Sequence, residues 1–221
     1  MNFRHVKLDE LNFDMKSETT EKGRVYKTPN GELYPSITTV LSSYNKKAIM
    51  EWRKRVGDEE ANRVSRFASG RGNKLHNAVE KYILNEMTDI KMKTLMPDIK
   101  EMFSDIRKVV DESIGTIYGI EQPLYSHKLR LAGRCDCIAE WDGELAIVDW
   151  KTSKRLKEKE NIKNYFMQAT AYALMFEEIT GIPINKIVVV IAVENENVQI
   201  FVEDKTKYII SLNEYNDKYP R

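Results

Sequence analysis

Asp136, Asp149 and Lys151 are the residues whose types and spacing point most directly to chemistry. The dipeptide Asp142-Gly143 between β-branched and apolar runs reads as a two-residue type I′ hairpin turn. Asp136 lies six positions before Asp142, and Asp149 six positions after Gly143. In that register the two acids face each other with Cβ atoms roughly 4.5–5.5 Å apart. Lys151, two residues on, shares their face. The opposite face carries Cys135, Cys137, Ala139, Ala146, Val148 and Trp150, an apolar set suited to burial. Directly opposed like charges destabilise a strand pair, and a divalent cation between them removes the repulsion. Carboxylates with water suit Mg²⁺ or Mn²⁺, which also take phosphate oxygens as ligands. The alternative is a solvated edge where the acids pair with Arg134 or Lys151.

The elements that must position this hairpin follow from periodicity. Asn30-Gly31 reads as a turn, and Ser36 and Thr38 stand where a helix is capped and begun. Apolar residues recur at helical spacing over 46–67 and 74–86, with a glycine-bearing break at 69–72. Pro97 opens a third helix expected to reach Tyr118. Strand character begins at Ile120 and runs through the hairpin. Residues 164–180 return to helix, stopped by Gly181 and Pro183. Lys186 to Val193 is a continuous apolar run of the kind found at sheet centres, Val198 to Val202 a last strand, and the tail a short helix. This order predicts an α/β fold with a mixed sheet.

The 221 residues are 42% apolar and 31% charged, a globular balance that excludes intrinsic disorder. No apolar run approaches the roughly 18 residues of a membrane span. The N-terminal residues show no secretory core and no Arg-rich transit pattern, giving an expectation of a cytoplasmic location, the host cytoplasm if phage-encoded. A net charge of +1 gives no global pull toward nucleic acid, so local clusters must decide. Two cysteines, read as buried reduced thiols on one strand face, exclude a four-cysteine zinc or iron-sulfur site within one chain.

Gly133-x-x-Asp136, the run Asp149-Trp150-Lys151-Thr152-Ser153 and Gln168-x-x-x-Tyr172 together resemble the PD-(D/E)xK nucleases of the RecB-like branch. Residues 34–41, 51–55 and 70–76 narrow the likeness to exonucleases of the mitochondrial genome maintenance type and their phage relatives. The resemblance implies a restriction-endonuclease-like core, a central mixed β-sheet flanked by helices, with the N-terminal helices forming an arch over the site. It implies Mg²⁺ or Mn²⁺ held by His76, Asp136, Asp149 and the Trp150 carbonyl. Asp136, Asp149, Lys151 and His76 would be catalytic, Lys151 as the catalytic lysine. Gln168 and Tyr172 would order the site and touch substrate together with Thr152, and Glu121 would ligate or support the ligands. Spacing alone reads Gln168 and Tyr172 equally well as boundary positions. Glu80, one helical turn from His76, is placed to hold the second ring nitrogen, although a surface histidine beside a helical neighbour is the bland reading.

Residues 46–74 hold nine basic against four acidic residues, a basic wall leading to His76. Arg53 and Arg71 in that wall, with Ser36 and Thr38 at the helix start, are candidate DNA contacts; simple capping explains the last two as well. The expected arrangement is a loosely held arm over 1–32 and one nuclease domain over 33–221, comprising a helical part (33–118), a sheet core (119–203) and a tail (204–221). The expected activity is a metal-dependent DNA exonuclease on single strands with free ends, acting as a monomer. A structure-specific or nicking endonuclease and a non-catalytic DNA-binding module are the alternatives. No phosphate-cradling G-x-x-x-x-G-K-[ST] loop occurs, so no nucleotide cofactor is expected.

Overall fold

The computed structural model describes residues 2–220. Its centre is a five-stranded sheet in the order β4-β5-β6-β7-β8, formed by β4 (Ile114–Ser126), β5 (Leu131–Trp141), β6 (Glu144–Ser153), β7 (Lys186–Val193) and β8 (Gln199–Asp204). Neighbours are antiparallel except β6 and β7, which run parallel because α6 (Lys163–Thr180) crosses between them. Gly181 ends α6 in the left-handed conformation at φ 73°.

The apolar run of β7 is divided between two cores. Ile187, Val189 and Ile191 face the α6 side with Ile138, Ile147 and Phe176. Val188, Val190 and Ala192 face the other side with Val148, Leu75 and Phe103. A strand buried on both faces needs no polar alternation. The second layer is built from α3 (Asp58–Ile83) and α5 (Pro97–Ser113), preceded by α1 (Ile37–Tyr44), α2 (Lys46–Val56) and the short α4 (Asp89–Lys93); α7 (Thr206–Asp217) packs on α6.

Three expectations are corrected. The helix break falls at Gly57 (φ 86°), not at 69–72, and α3 runs through Gly70 and Gly72 without interruption. Each glycine costs a helix about 1 kcal/mol, and the helix beyond them is held by Leu75 and Val79 in the core and by Arg71, whose guanidinium donates to Glu194 at 2.9 Å. The helix opened by Pro97 ends at Ser113, because Ile114–Tyr118 join β4. Residues 2–32 of the arm expected over 1–32 are not loose. They form β1 (Lys16–Thr20) and β2 (Gly23–Lys27), which pair with β3 (Leu33–Pro35), and they bury Phe3, Leu11, Met15 and Tyr26. Residues 4–6 also bridge to β4, where Val6 donates to the Ile117 carbonyl at 2.9 Å.

The outer part of the helical layer is thinly anchored: α2 buries no residue, and before Arg71 α3 buries Ala61 alone. The two helices form a thinly anchored hairpin whose mostly charged and polar surface also exposes Ile49, Met50 and Phe67.

Candidate active site

The β5–β6 turn has φ 50° at Asp142 and 78° at Gly143, the positive values a type I′ turn requires. Trp141 pairs with Glu144, Ala139 with Ala146 and Cys137 with Val148, in the expected register. The ladder then stops, one residue short of the two acids. Asp136 Oδ2 instead accepts the Trp150 main-chain N–H at 2.9 Å, so the carboxylates do not stand as a simple opposed pair. Across from Asp136, between the pairs Ile120–Cys137 and Gln122–Cys135, sits Glu121 at φ 46°, a conformation non-glycine residues seldom adopt. Alternation fails at this point, and Cys135 packs in the α6-side core while Cys137 packs in the other. The two thiols thus lie on opposite faces, and burial raises the pKa of both.

Asp149 is 1% exposed. Its Oδ1 accepts from Gln168 Nε2 at 3.1 Å, and its Oδ2 forms an ion pair with the Lys151 ammonium. That oxygen has no further donor among the described residues. Burial pushes the Asp149 carboxyl above its ordinary pKa, a rise that Lys151 opposes and Asp136 reinforces. Burial disfavours charge on Lys151 as well, but the two aspartates outweigh it and hold the ammonium protonated above the usual lysine value. The ammonium also lies 5.3 Å from the centre of the Tyr165 ring.

His76 reaches the hairpin from α3, with Nδ1 3.6 Å from Asp136 Oδ2. His76, Glu121 and Asp136 each offer a ligand atom, all within 4.8 Å of one another. One imidazole nitrogen and two carboxylates suit a divalent cation of the Mg²⁺ or Mn²⁺ kind. The Glu121 carboxyl is raised to about 7, first by burial and then by Asp136, with Glu80 adding to the rise and His76 opposing it. This is a site where negative charge is crowded and a cation would relieve it. His76 and Asp136 meet here with Glu121, for which ligation was one of two expected roles, and Asp149 is turned toward Lys151. Glu80 lines the same space but makes no hydrogen bond to His76 among the described residues.

These groups open into a cavity of about 790 Å³ between the sheet end, α3 and the N-terminal sheet. Ser36, Thr38, Gln168 and Tyr172 line it, and their local bonds show what else they do. Ser36 caps α1 by accepting the Thr39 N–H at 3.0 Å and meets Thr38 Oγ1 at 2.9 Å. Gln168 holds Asp149, and the buried Tyr172 ring packs on Gly133. Arg53 and Arg71 lie outside the cavity walls. Arg53 bonds Asp58 and Asn62 at the helix junction, and Arg71, 6% exposed, is committed to Glu194. Thr152 stands beside α3, with its Oγ1 3.8 Å from where a Gly72 Cβ would be.

A residue the sequence reading passed over is Arg24 on β2. It is exposed, lines the cavity opposite α3, and has no side-chain partner among the described residues. The sequence carried little signal for it: β1 is polar and exposed throughout, and the hairpin turns at Glu21-Lys22 with Gly23 already paired to Thr20.

A sequence profile of the PD-(D/E)XK nuclease superfamily matches residues 48–208, from α2 to the start of α7. Among curated proteins the chain is similar to the human mitochondrial genome maintenance exonuclease 1, 23% identical over 205 residues that cover 83% of this chain and 58% of the relative. It is likewise similar to the Xenopus tropicalis protein of the same name, 24% identical over 176 residues, 75% of this chain and 49% of that protein. The chain thus spans about half the length of the curated relatives it matches.

Proposed function

The chain belongs to the PD-(D/E)XK nuclease superfamily, and from that membership we propose that it is a Mg²⁺- or Mn²⁺-dependent deoxyribonuclease that degrades single-stranded DNA from free ends. The observation that carries the reading is the convergence of His76, Glu121 and Asp136 in a cavity that Lys151 also lines. The exonuclease names of the similar proteins support the choice of reaction.

In this reading His76, Glu121 and Asp136 hold the cation, and Asp149 and the Trp150 carbonyl are further donors. A cation bound there supplies positive charge to the phosphate and acidity to a water molecule. Lys151 faces the same space with its ammonium kept protonated by Asp149, so it steadies the charge that builds on the phosphate in the transition state. Gln168 fixes the Asp149 carboxylate and thereby the direction of Lys151. Tyr172 backs Gln168. The α2–α3 hairpin forms the arch, the N-terminal sheet forms the facing wall, and one copy of the described residues, that sheet included, constitutes the nuclease unit.

Incubation of 5′- and 3′-labelled single strands, duplexes and covalently closed single-stranded circles with Mg²⁺, Mn²⁺ or chelator tests this directly. Progressive shortening of linear strands, abolished by chelation, with the circle intact, is the expected result. Cutting of the circle would move the assignment to an endonuclease, and no cutting under any condition would leave a DNA-binding module.

A further inference from the structure

Between α3 and the start of α5 lies a second open groove of about 430 Å³. Its walls are Asn73, Lys74 and Asn77 on α3, with Leu95, Met96 and Ile99 where the chain enters α5. Asn73 and Asn77 stand four apart on one helix face and line both this groove and the candidate active-site cavity. The two spaces therefore share a ridge made of two exposed carboxamides.

Their chemistries differ. The active-site cavity is walled mainly by charged and polar groups, whereas the groove offers Leu95, the 50% exposed Met96 and the buried Ile99 as an apolar floor. The half-exposed Met96 side chain leaves this floor open to solvent. Lys74 adds a cation with no carboxylate partner among the described residues; its ammonium contacts the Met96 sulfur at 2.8 Å. An apolar floor, two amides able both to donate and to accept, and one uncompensated cation match three parts of a nucleotide: the base face, the base edge and the phosphate. A base paired within a duplex hides its faces, so an unpaired base is the occupant that fits.

We propose that this groove receives an unpaired nucleobase of the DNA strand under cleavage, a near neighbour of the scissile phosphate, with Asn73 and Asn77 on the base edge and Lys74 on an adjoining phosphate. The inference rests on the nuclease reading above and adds a base-binding subsite to it. Binding at the groove would favour single strands over duplex, because a duplex has no free base to place there.

The test is a set of short single strands in which one abasic residue is walked through the positions flanking the cleaved bond. Cleavage is read in single turnovers, and affinity is read with the Lys151→Ala chain in Mg²⁺, where strands survive. One position should stand out, with an abasic residue there lowering affinity or rate about tenfold, the scale of two lost hydrogen bonds with their apolar contact. Asn73→Ala/Asn77→Ala, exposed substitutions, should weaken intact strands by a similar factor and abolish the positional effect. Met96→Ser should act in the same direction.

Cleavage with no sensitive position, or a sensitive position unchanged in the double variant, overturns the inference while leaving the nuclease reading in place. A sensitive position seen in binding, with no cleavage in any metal, keeps the subsite and removes the nuclease reading.

Discussion

Gly133 and Tyr172 are in contact so close that a Cβ on Gly133 would lie 2.7 Å from Tyr172 Cε1 and 3.0 Å from its hydroxyl. The bare Cα is the seat of a short relay: the Tyr172 hydroxyl lies 3.5 Å from Gln168 Nε2, which donates to Asp149 Oδ1 at 3.1 Å.

Gly133→Ala should therefore act on the site rather than on the fold. Overpacking of this kind costs about 1–3 kcal/mol, while displacement of a positioning chain can cost about a hundredfold in rate. A modest loss of melting temperature with a large loss of single-turnover cleavage is expected. Adding Tyr172→Ala clears the clash but empties the space of a buried ring, at a cost larger than the overpacking it relieves, so the double variant should melt no higher than Gly133→Ala and should not regain activity. Activity unchanged in Gly133→Ala would separate Tyr172 from the site.

Lys151→Ala should reduce cleavage by orders of magnitude and leave DNA binding largely intact, since its charge acts mainly in the transition state. It should also destabilise the metal-free protein by about 3 kcal/mol or more, because Asp149 is left buried without its ion pair. Lys151→Ala/Asp149→Asn should recover much of that stability in a thermal melt without recovering activity. A cleavage loss under tenfold contradicts the assigned role.

Mg²⁺ or Mn²⁺ should raise the wild-type melting temperature in a concentration-dependent way, as any ligand of the folded state does. Asp136→Asn and Glu121→Gln should each lose most of that response. The Glu121 variant is the more informative, because its carboxylate joins the donor set through an unusual backbone conformation. A full metal response in Glu121→Gln would leave it as a neighbour of the site.

Arg24 and Arg71 should separate under a salt titration of single-strand binding. Loss of one phosphate contact lowers the slope of log affinity against log salt by about 0.7. Arg24→Gln should show that change at unaltered melting temperature, since its guanidinium is exposed and has no side-chain partner among the described residues. Arg71→Gln should melt lower with the slope unchanged, because it breaks the bond to Glu194.

Acid stability should depend on Glu203. Burial raises its carboxyl, but Lys159 and Lys207, the latter at 2.9 Å, bond it and bring the net pKa below the ordinary 4.5. A lowered folded-state value gives stability that is present above the unfolded pKa and is lost as pH falls through the folded one. Glu203→Gln should thus melt lower than wild type at pH 7, and the gap should narrow below about pH 4.5. A gap independent of pH would assign the loss to packing.

The sheet core was legible wherever local chemistry and tertiary demand agree. Asp142-Gly143 dictates its own turn type and hence the register up to Cys137–Val148, and the short β-branched run Lys186–Val193 suits the doubly covered strand it forms. What the sequence hid depends on distant partners. The ladder stops at Asp136 because Glu121 takes a left-handed backbone there and the Trp150 N–H finds a carboxylate, events that no window around either residue encodes. The same holds for Arg71, a basic residue among basic residues until the chain returns Glu194 to it. Glycines at 70 and 72 carried a false break, since glycine permits a turn without demanding one.

The bond between the Trp150 amide and Asp136 Oδ2 joins a main-chain proton to a proposed cation ligand. That proton is an internal spectroscopic gauge. Its chemical shift and its rate of exchange with deuterated water follow the charge and position of the carboxylate, so occupancy of the site is readable from one backbone resonance, with no label attached to the substrate and no turnover needed.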